Sequence, residues 1–220
     1  YGLQDIQKYN DERYVLDREL ILNKTFYNKI FKQQGNFVNY IITYSPHTPF
    51  TTEKEVGKIL AEEKYGKGNV PKLSEEDCAK MAASETDNMV GLLIQALKDN
   101  GLYDNTVIVA YADHYLYTLD DKSILDKYKE TSNNLINHTP FFIWSSDLGQ
   151  LTSISKVNMQ MDILPTVLNL FGIDYNSNNY IGHDILSNDF KGYAFFSDYS
   201  WYDGKVYVEN QQITNGKKMS

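Results

Sequence analysis

The sequence predicts an α/β fold, and three observations carry that assignment. An apolar, β-branched run at residues 106–112 stops abruptly on Asp113-His114. A wide amphipathic stripe precedes it, with Met81, Met89, Val90, Leu92, Leu93, Ala96 and Leu97 at helical spacing. A second apolar run, Thr139-Pro140-Phe141-Phe142-Ile143-Trp144-Ser145, comes after a polar interval. Helices alternating with buried strands are the pattern of the α/β class. Residues 106–112 read as an interior strand of a parallel sheet, where both faces are covered and the apolar run is continuous.

Bulk properties narrow the function. A chain of 220 residues buries a substantial core as one large domain or two small ones. With 42% hydrophobic and 23% charged residues, the composition is that of a globular protein. A net charge of -8 without any Lys/Arg stripe argues against nucleic acid as a partner. No apolar run among these residues approaches the roughly 20 of a membrane helix, and none of them reads as a signal peptide. Cys78 is the only cysteine, so no internal disulfide forms. The 18 tyrosines suit a surface facing sugars or headgroups. The chain opens on Tyr1-Gly2-Leu3 and reads as though cut from something longer.

Taken in order, residues 11–34 carry Val15, Leu16, Leu20, Ile21, Leu22, Phe26, Ile30 and Phe31 among charges, predicting a helix that Gly35-Asn36 stops. Residues 37–44 predict a strand running into Ser45-Pro46-His47-Thr48-Pro49-Phe50. Residues 51–76 contain Gly57, Gly66, Gly68 and Pro71 and predict a polar surface excursion, its charge run 53–64 a solvated helix face. Helical periodicity resumes near Glu75 and ends at Asn100-Gly101, since glycine adopts the left-handed conformation cheaply. Residues 115–138 are polar and predict irregular or briefly helical chain. Asp162 is the expected N-cap of a helix reaching Leu170, with Pro165 in its first turn and Gly172 closing it. Residues 194–208 predict a β-hairpin with Asp203-Gly204 as a type I′ turn, and residues 215–220 a frayed end. No internal repeat appears.

Two places concentrate chemistry. Ligands of open α/β sheets gather at the carboxyl ends of strands, where Asp113 and His114 can both turn onto one ion. An anionic oxygen beside a neutral imidazole suits a hard or borderline divalent metal. The plainer reading is a strand ending in a polar turn, with Asp113 as a cap. His47 lies between two prolines, on a loop whose backbone is restricted from both sides. Elsewhere the readings are structural. Cys78 lacks a basic neighbour to activate it, and His138 and the His183-Asp184 pair read as surface or capping groups. Ser45 and Thr48 lack the strand-to-helix elbow of a catalytic nucleophile.

Several segments, in order, resemble the extracellular catalytic domain of lipoteichoic acid synthase-type phosphoglycerol transferases, within the alkaline phosphatase/sulfatase superfamily. The segment Ile41-Ile42-Thr43-Tyr44-Ser45-Pro46-His47-Thr48-Pro49-Phe50 is similar to the family's strand and Ser/Asn-His-x-Pro-Phe loop. Gly101 through His114 resembles its Leu-Tyr-Asp-Asn-Thr-Val-Ile-Val-x-Tyr-Gly-Asp-His signature, with Ala112 in place of the glycine. Pro140 to Ile143 matches the Pro-Phe-x-Ile strand, and Gln160 to Ile173 the Gln-x-Asp-Ile/Leu-Leu-Pro-Thr helix. Tyr180-Ile181-Gly182-His183-Asp184-Ile185-Leu186 resembles the family's segment after that helix. The family often has glycine after Asp-His-Tyr; this chain has Leu116.

The resemblance implies a three-layer α/β/α sandwich of alkaline phosphatase/sulfatase type, truncated at the N-terminus and ending in an antiparallel hairpin. All 220 residues are then the C-terminal portion of one catalytic domain. It implies that Asp113 and His114 bind a catalytic Mn²⁺, Mg²⁺ or Zn²⁺, and that His47 contacts the glycerol phosphate or assists the leaving group. A Glu ligand, a Thr nucleophile, and substrate-binding Trp and Arg stand upstream in the family and have no counterpart here, so the chain alone is expected to be inactive. The implied partners are a lipid-linked glycerophosphate, a polymer acceptor, the other half of the domain, and a membrane reached through upstream helices. The implied location is the outer face of the cell membrane. A sulfatase or phosphodiesterase-type hydrolase is the alternative from the same chemistry, and a non-catalytic surface protein that retains the fold is the contrasting class.

Overall fold

In the computed structural model, residues 16–129, 134–209 and 212–214 are described. The chain divides into two compact units: Tyr1–Lys129 with Pro140–Gly149, and Glu130–Thr139 with Gln150–Ser220.

The first unit is built around one long helix. Its elements are α1 (Glu19–Leu22), α2 (Lys24–Phe31), α3 (Glu55–Tyr65), α4 (Glu75–Asp99), a 3₁₀ turn (Tyr103–Asn105), β1 (Val107–Tyr111), α5 (Ser123–Tyr128) and β2 (Phe141–Ser145). Helix α4 starts at a capping box: Ser74 Oγ accepts the Asp77 N–H, and the Asp77 carboxylate accepts the Ser74 N–H. It ends in a Schellman turn, with Leu102 N–H on the Leu97 carbonyl and Gly101 N–H on Lys98, Gly101 at φ +65°. Three apolar clusters line its length. Met89, Ala96 and Leu97 pack with Ile21 and Phe31; Cys78 and Ala82 with Phe50, Leu119 and Ile124; and Met81 against Leu16, Val56 and Leu60.

Several expectations change here. The helix predicted across residues 11–34 is two helices, α1 and α2, over its described part. Asn23 breaks it, because its side chain accepts the Thr25 N–H and caps the second helix; residues 11–15 lie outside the described residues. Residues 51–76 are not merely a polar excursion, since α3 buries Val56, Gly57, Leu60 and Ala61. The charges mask a half-buried helix. Among the described residues strand β1 pairs with β2 alone, antiparallel, with Val109 opposite Ile143, and lies in no parallel ladder; its side chains from Val107 to Ala110 are only partly covered. The apolar run reports what the strand is suited to bury, not the direction of its neighbour. Residues 37–44 form no ladder among the described residues. Val38, Tyr40 and Ile42, on alternate positions, are 93%, 74% and 75% exposed.

Helix α5 is tied back to α4 through Glu76, whose carboxylate takes hydrogen bonds from Lys127, Lys80 and Tyr128. Those donors, Lys127 foremost, hold Glu76 down at about 2, against 4.5 for an ordinary glutamate. A depressed carboxylate contributes stability above its unfolded pKa and loses it as pH falls toward the folded one. Glu76→Gln is therefore expected to flatten the decline in thermal midpoint between pH 4.5 and 2. Because the partner lysines Lys80 and Lys127 are exposed, salt should shrink the difference.

The second unit holds a 3₁₀ turn (Asn134–Asn137), α6 (Gln160–Leu170), another 3₁₀ turn (Ser177–Asn179) and strands β3 (Ala194–Phe195), β4 (Trp201–Tyr202), β5 (Tyr207–Glu209) and β6 (Gln212–Thr214) in a four-stranded antiparallel meander. Asp162 is not the N-cap of α6. The helix begins two residues earlier, and the Asp162 carboxylate reaches back to the Met159 N–H and across to the His183 N–H, each at 2.8 Å. Pro165 thus sits beyond the first turn, where it leaves the Met161 carbonyl without its intrahelical donor. Gly182 crosses at that point: a Cβ there would lie 1.9 Å from Met161 O. Gly172, at φ +62°, closes the helix as expected. The predicted hairpin is present and extended by β6, but its turn is not type I′. Gly204 has φ +90° while Asp203 and Lys205 do not, which is the glycine placement of type II′. Residues 215–220 lie outside the described residues.

Candidate functional site

The last bond of the β1–β2 ladder runs from Ala112 N–H to Pro140 O, so Asp113 and His114 leave the sheet together. His114 Nδ1 lies 2.8 Å from the Tyr115 carbonyl. A carbonyl only accepts, so Nδ1 carries a proton, and in the neutral ring the lone pair falls on Nε2. That Nε2 stands 3.4 Å from Asp113 Oδ2. Two ligands at about 2.0–2.1 Å on one tetrahedral ion are about 3.4 Å apart. The pair therefore matches two corners of a metal site in donor chemistry, tautomer and spacing. Asp113 is 83% exposed, open to an incoming ion. The ring of Tyr117 meets His114 edge-on at 4.8 Å. Among the described residues no group of three His, Cys, Asp or Glu side chains completes the site.

His47 occupies a loop pinned at both ends, by Ser45 at 0% exposure and Phe50 at 7%. Its N–H donates to the Tyr44 carbonyl at 2.9 Å, and its ring stacks on Tyr44 with centroids 5.6 Å apart and planes 6° from parallel. Its Nδ1 faces the Thr48 carbonyl at 2.7 Å, which again leaves Nε2 as the outward-facing nitrogen. The structure does not join His47 to the Asp113–His114 pair in one cluster. It does connect the segments that carry them, through the hydroxyls of Tyr40 and Tyr111 at 3.2 Å. That bond, with partial burial, pushes the Tyr111 hydroxyl above its ordinary value.

The other sequence candidates resolve structurally. Ser45 Oγ accepts the Asp17 N–H inside the fold and faces no solvent. Cys78 is buried, and burial raises its thiol pKa. His138 is exposed and its N–H closes a turn on Leu135. The carboxylate of Asp184 accepts Asn169 Nδ2 and the Leu186 N–H, so this pair organises a turn.

Two buried acids carry no expectation from the sequence. Asp17 is 3% exposed and gathers hydrogen bonds from Tyr44, Ser45 and Thr86. Glu85, 4% exposed, receives the Arg18 N–H and guanidinium, and burial pushes its carboxyl above the usual range against the pull of Arg18. Glu85 has a legible signal, since an acid four residues from both Met81 and Met89 stands in the core stripe of α4. Asp17 has none beyond an acid next to Leu16.

Known proteins share this arrangement of segments. The sulfatase family model matches residues 1–173. The chain belongs to the sulfatase family. A lipoteichoic acid synthase of Staphylococcus saprophyticus is 30% identical across 92% of this chain, and one of Staphylococcus aureus USA300 is 29% identical across 95%. This sulfatase-family chain spans 32% and 35% of those two proteins, about a third of their length. The crystal structure of the lipoteichoic acid synthase LtaP from Listeria monocytogenes matches with a TM-score of 0.68 at 24% identity, covering 88% of this chain and 49% of that one. The fold is accordingly the α/β fold of the alkaline phosphatase/sulfatase superfamily, with an antiparallel addition at the C-terminal end.

Proposed function

We propose that the chain is the C-terminal portion of a single catalytic domain of a metal-dependent phosphoglycerol transferase, acting at the cell envelope on a lipid-linked glycerophosphate and a polymer acceptor. The observation that carries the proposal is the Asp113–His114 pair, with Nε2 and Oδ2 3.4 Å apart and the imidazole tautomer fixed by the Tyr115 carbonyl. The family match and the similarity to lipoteichoic acid synthases support the same reading.

In this proposal Asp113 and His114 hold a divalent ion, Mn²⁺ or alternatively Mg²⁺ or Zn²⁺. The ion, when bound, neutralises charge on phosphoryl oxygens and lowers the pKa of a coordinated hydroxyl. Two protein ligands fall short of the three or four usual for such a centre, so the remaining ligands and the Thr nucleophile come from outside these residues. His47 takes up a proton on Nε2 and delivers it to the departing lipid alkoxide, while Nδ1 stays on the Thr48 carbonyl. A positioned acid of this kind contributes roughly 10²–10⁴ in rate. No helix among the described residues is long and apolar enough to cross a membrane. The proposed anchoring to the outer face of the cell membrane, like the absence of any nucleic-acid partner, belongs to the intact protein.

The test is an assay of the full-length protein on a phosphoglycerol-headgroup lipid, an aryl sulfate and a phosphodiester, with chelator and after Mn²⁺ is restored. Metal-restored release of diacylglycerol supports the proposal. Preference for the sulfate or the diester makes it a hydrolase of the same superfamily, and no turnover on any substrate leaves a binding protein. These 220 residues alone are expected to show no turnover and weaker than micromolar affinity for Mn²⁺ by calorimetric titration.

A further inference from the structure

Four hydrogen bonds meet at Asp17. Its Oδ1 accepts the backbone N–H of Tyr44 at 2.7 Å and of Ser45 at 3.1 Å. Its Oδ2 accepts the Thr86 hydroxyl, on α4, at 2.8 Å, and its own N–H donates to Ser45 Oγ at 2.9 Å. A capping carboxylate serves backbone donors two or three residues along. This one spans 27, 28 and 69 residues, so its task is long-range. The cation beside it in sequence is engaged elsewhere, as Arg18 pairs with Glu85 and Glu63. Two adjacent backbone N–H groups held on one buried oxygen make the Tyr44–Ser45 junction a stiff point.

The stiffness is transmitted to His47 by three routes. The Tyr44 carbonyl holds the His47 N–H, and the Tyr44 ring stacks on the imidazole. Pro46, between the gripped residues and His47, has a fixed φ. Beyond the loop, Phe50 is anchored in the core with Cys78 and Leu119. We infer that Asp17 is the positioning residue that aims His47, holding the Tyr44–Ser45 junction against α4 so that Nε2 keeps one direction. This deepens the proposed function and rests on the role given there to His47.

The experiment is a mutant cycle in the full-length protein, with a phosphoglycerol-headgroup lipid as substrate. Asp17→Ala is expected to lower kcat about tenfold to hundredfold with KM unchanged, the scale of effect that misplacing a catalytic group produces. The same substitution in a His47→Ala background is expected to cost nothing more. Asp17→Asn is expected to restore most of the rate, since its carbonyl still accepts from Tyr44 and Ser45 and its amide donates to Thr86 Oγ1. Equal losses with and without His47, or no rescue by asparagine, would overturn the inference and leave Asp17 a structural residue only. If His47→Ala is itself silent, the role of His47 fails and this inference with it, while the Asp113–His114 pair stands. Should Asp17→Ala not fold, Ser45→Ala takes its place. It removes the acceptor of the Asp17 N–H, and a loss of rate confined to the His47-containing background supports the inference where equal losses overturn it.

Discussion

Replacing His114 with alanine in the full-length protein is expected to lower kcat/KM for phosphoglycerol transfer about a thousandfold, the effect of losing roughly 4 kcal/mol of metal-borne charge stabilisation. Asp113→Asn should do nearly as much, because it keeps the shape of the side chain and removes its charge. Both should also weaken Mn²⁺ binding in an electron paramagnetic resonance titration. The fixed tautomer sharpens the expectation. With Nδ1–H committed to the Tyr115 carbonyl, Nε2 is the only ring nitrogen able to ligate, so His114→Gln should recover little. His138→Ala and His183→Ala serve as controls and are expected to leave both measurements unchanged. Full activity in the His114 variant would remove the pair from the site.

The second large effect is structural. Gly182→Ala is expected to destabilise the second unit by about 3 kcal/mol, the upper part of the range for overpacking a tight contact. A methyl group there would stand 1.9 Å from Met161 O and 2.7 Å from Asp162 N, backbone atoms of a helix that cannot move aside. Thermal or urea unfolding measures it directly. Gly91→Ala is the opposing control. It lies within α4 with nothing within 4 Å of its would-be Cβ, and alanine there should stabilise by up to about 1 kcal/mol. If the two substitutions shift stability alike, the close crossing of residue 182 over α6 is not as the structure places it.

Much of the architecture was legible in the sequence where local chemistry decides it. The stripe from Met81 to Leu97 and the Asn100-Gly101 stop define α4 almost to its ends, because period and cap are properties of adjacent residues. The same holds for β2 and for the end of α6 at Gly172. What was not legible depends on distant neighbours. Nothing in residues 106–112 says that the adjoining strand runs antiparallel, and nothing around Gly182 says that a helix carbonyl freed by Pro165 lies beneath it. For the site, adjacency of an acid and an imidazole at a strand exit was enough to nominate Asp113 and His114, and two flanking prolines drew attention to His47. The tautomers of both rings needed the Thr48 and Tyr115 carbonyls in place, and Asp17 needed partners 27 to 69 residues away.

The outward-facing row of Val38, Tyr40 and Ile42 has a practical corollary. A stretch that pairs with no strand among the described residues, with greasy side chains on alternate positions, behaves as an adhesive for any other strand that meets it. Prepared in isolation, these residues should cluster with one another as concentration rises, slowed by their shared negative charge. A peptide of alternating apolar pattern should compete for the same strip and keep the preparation monodisperse.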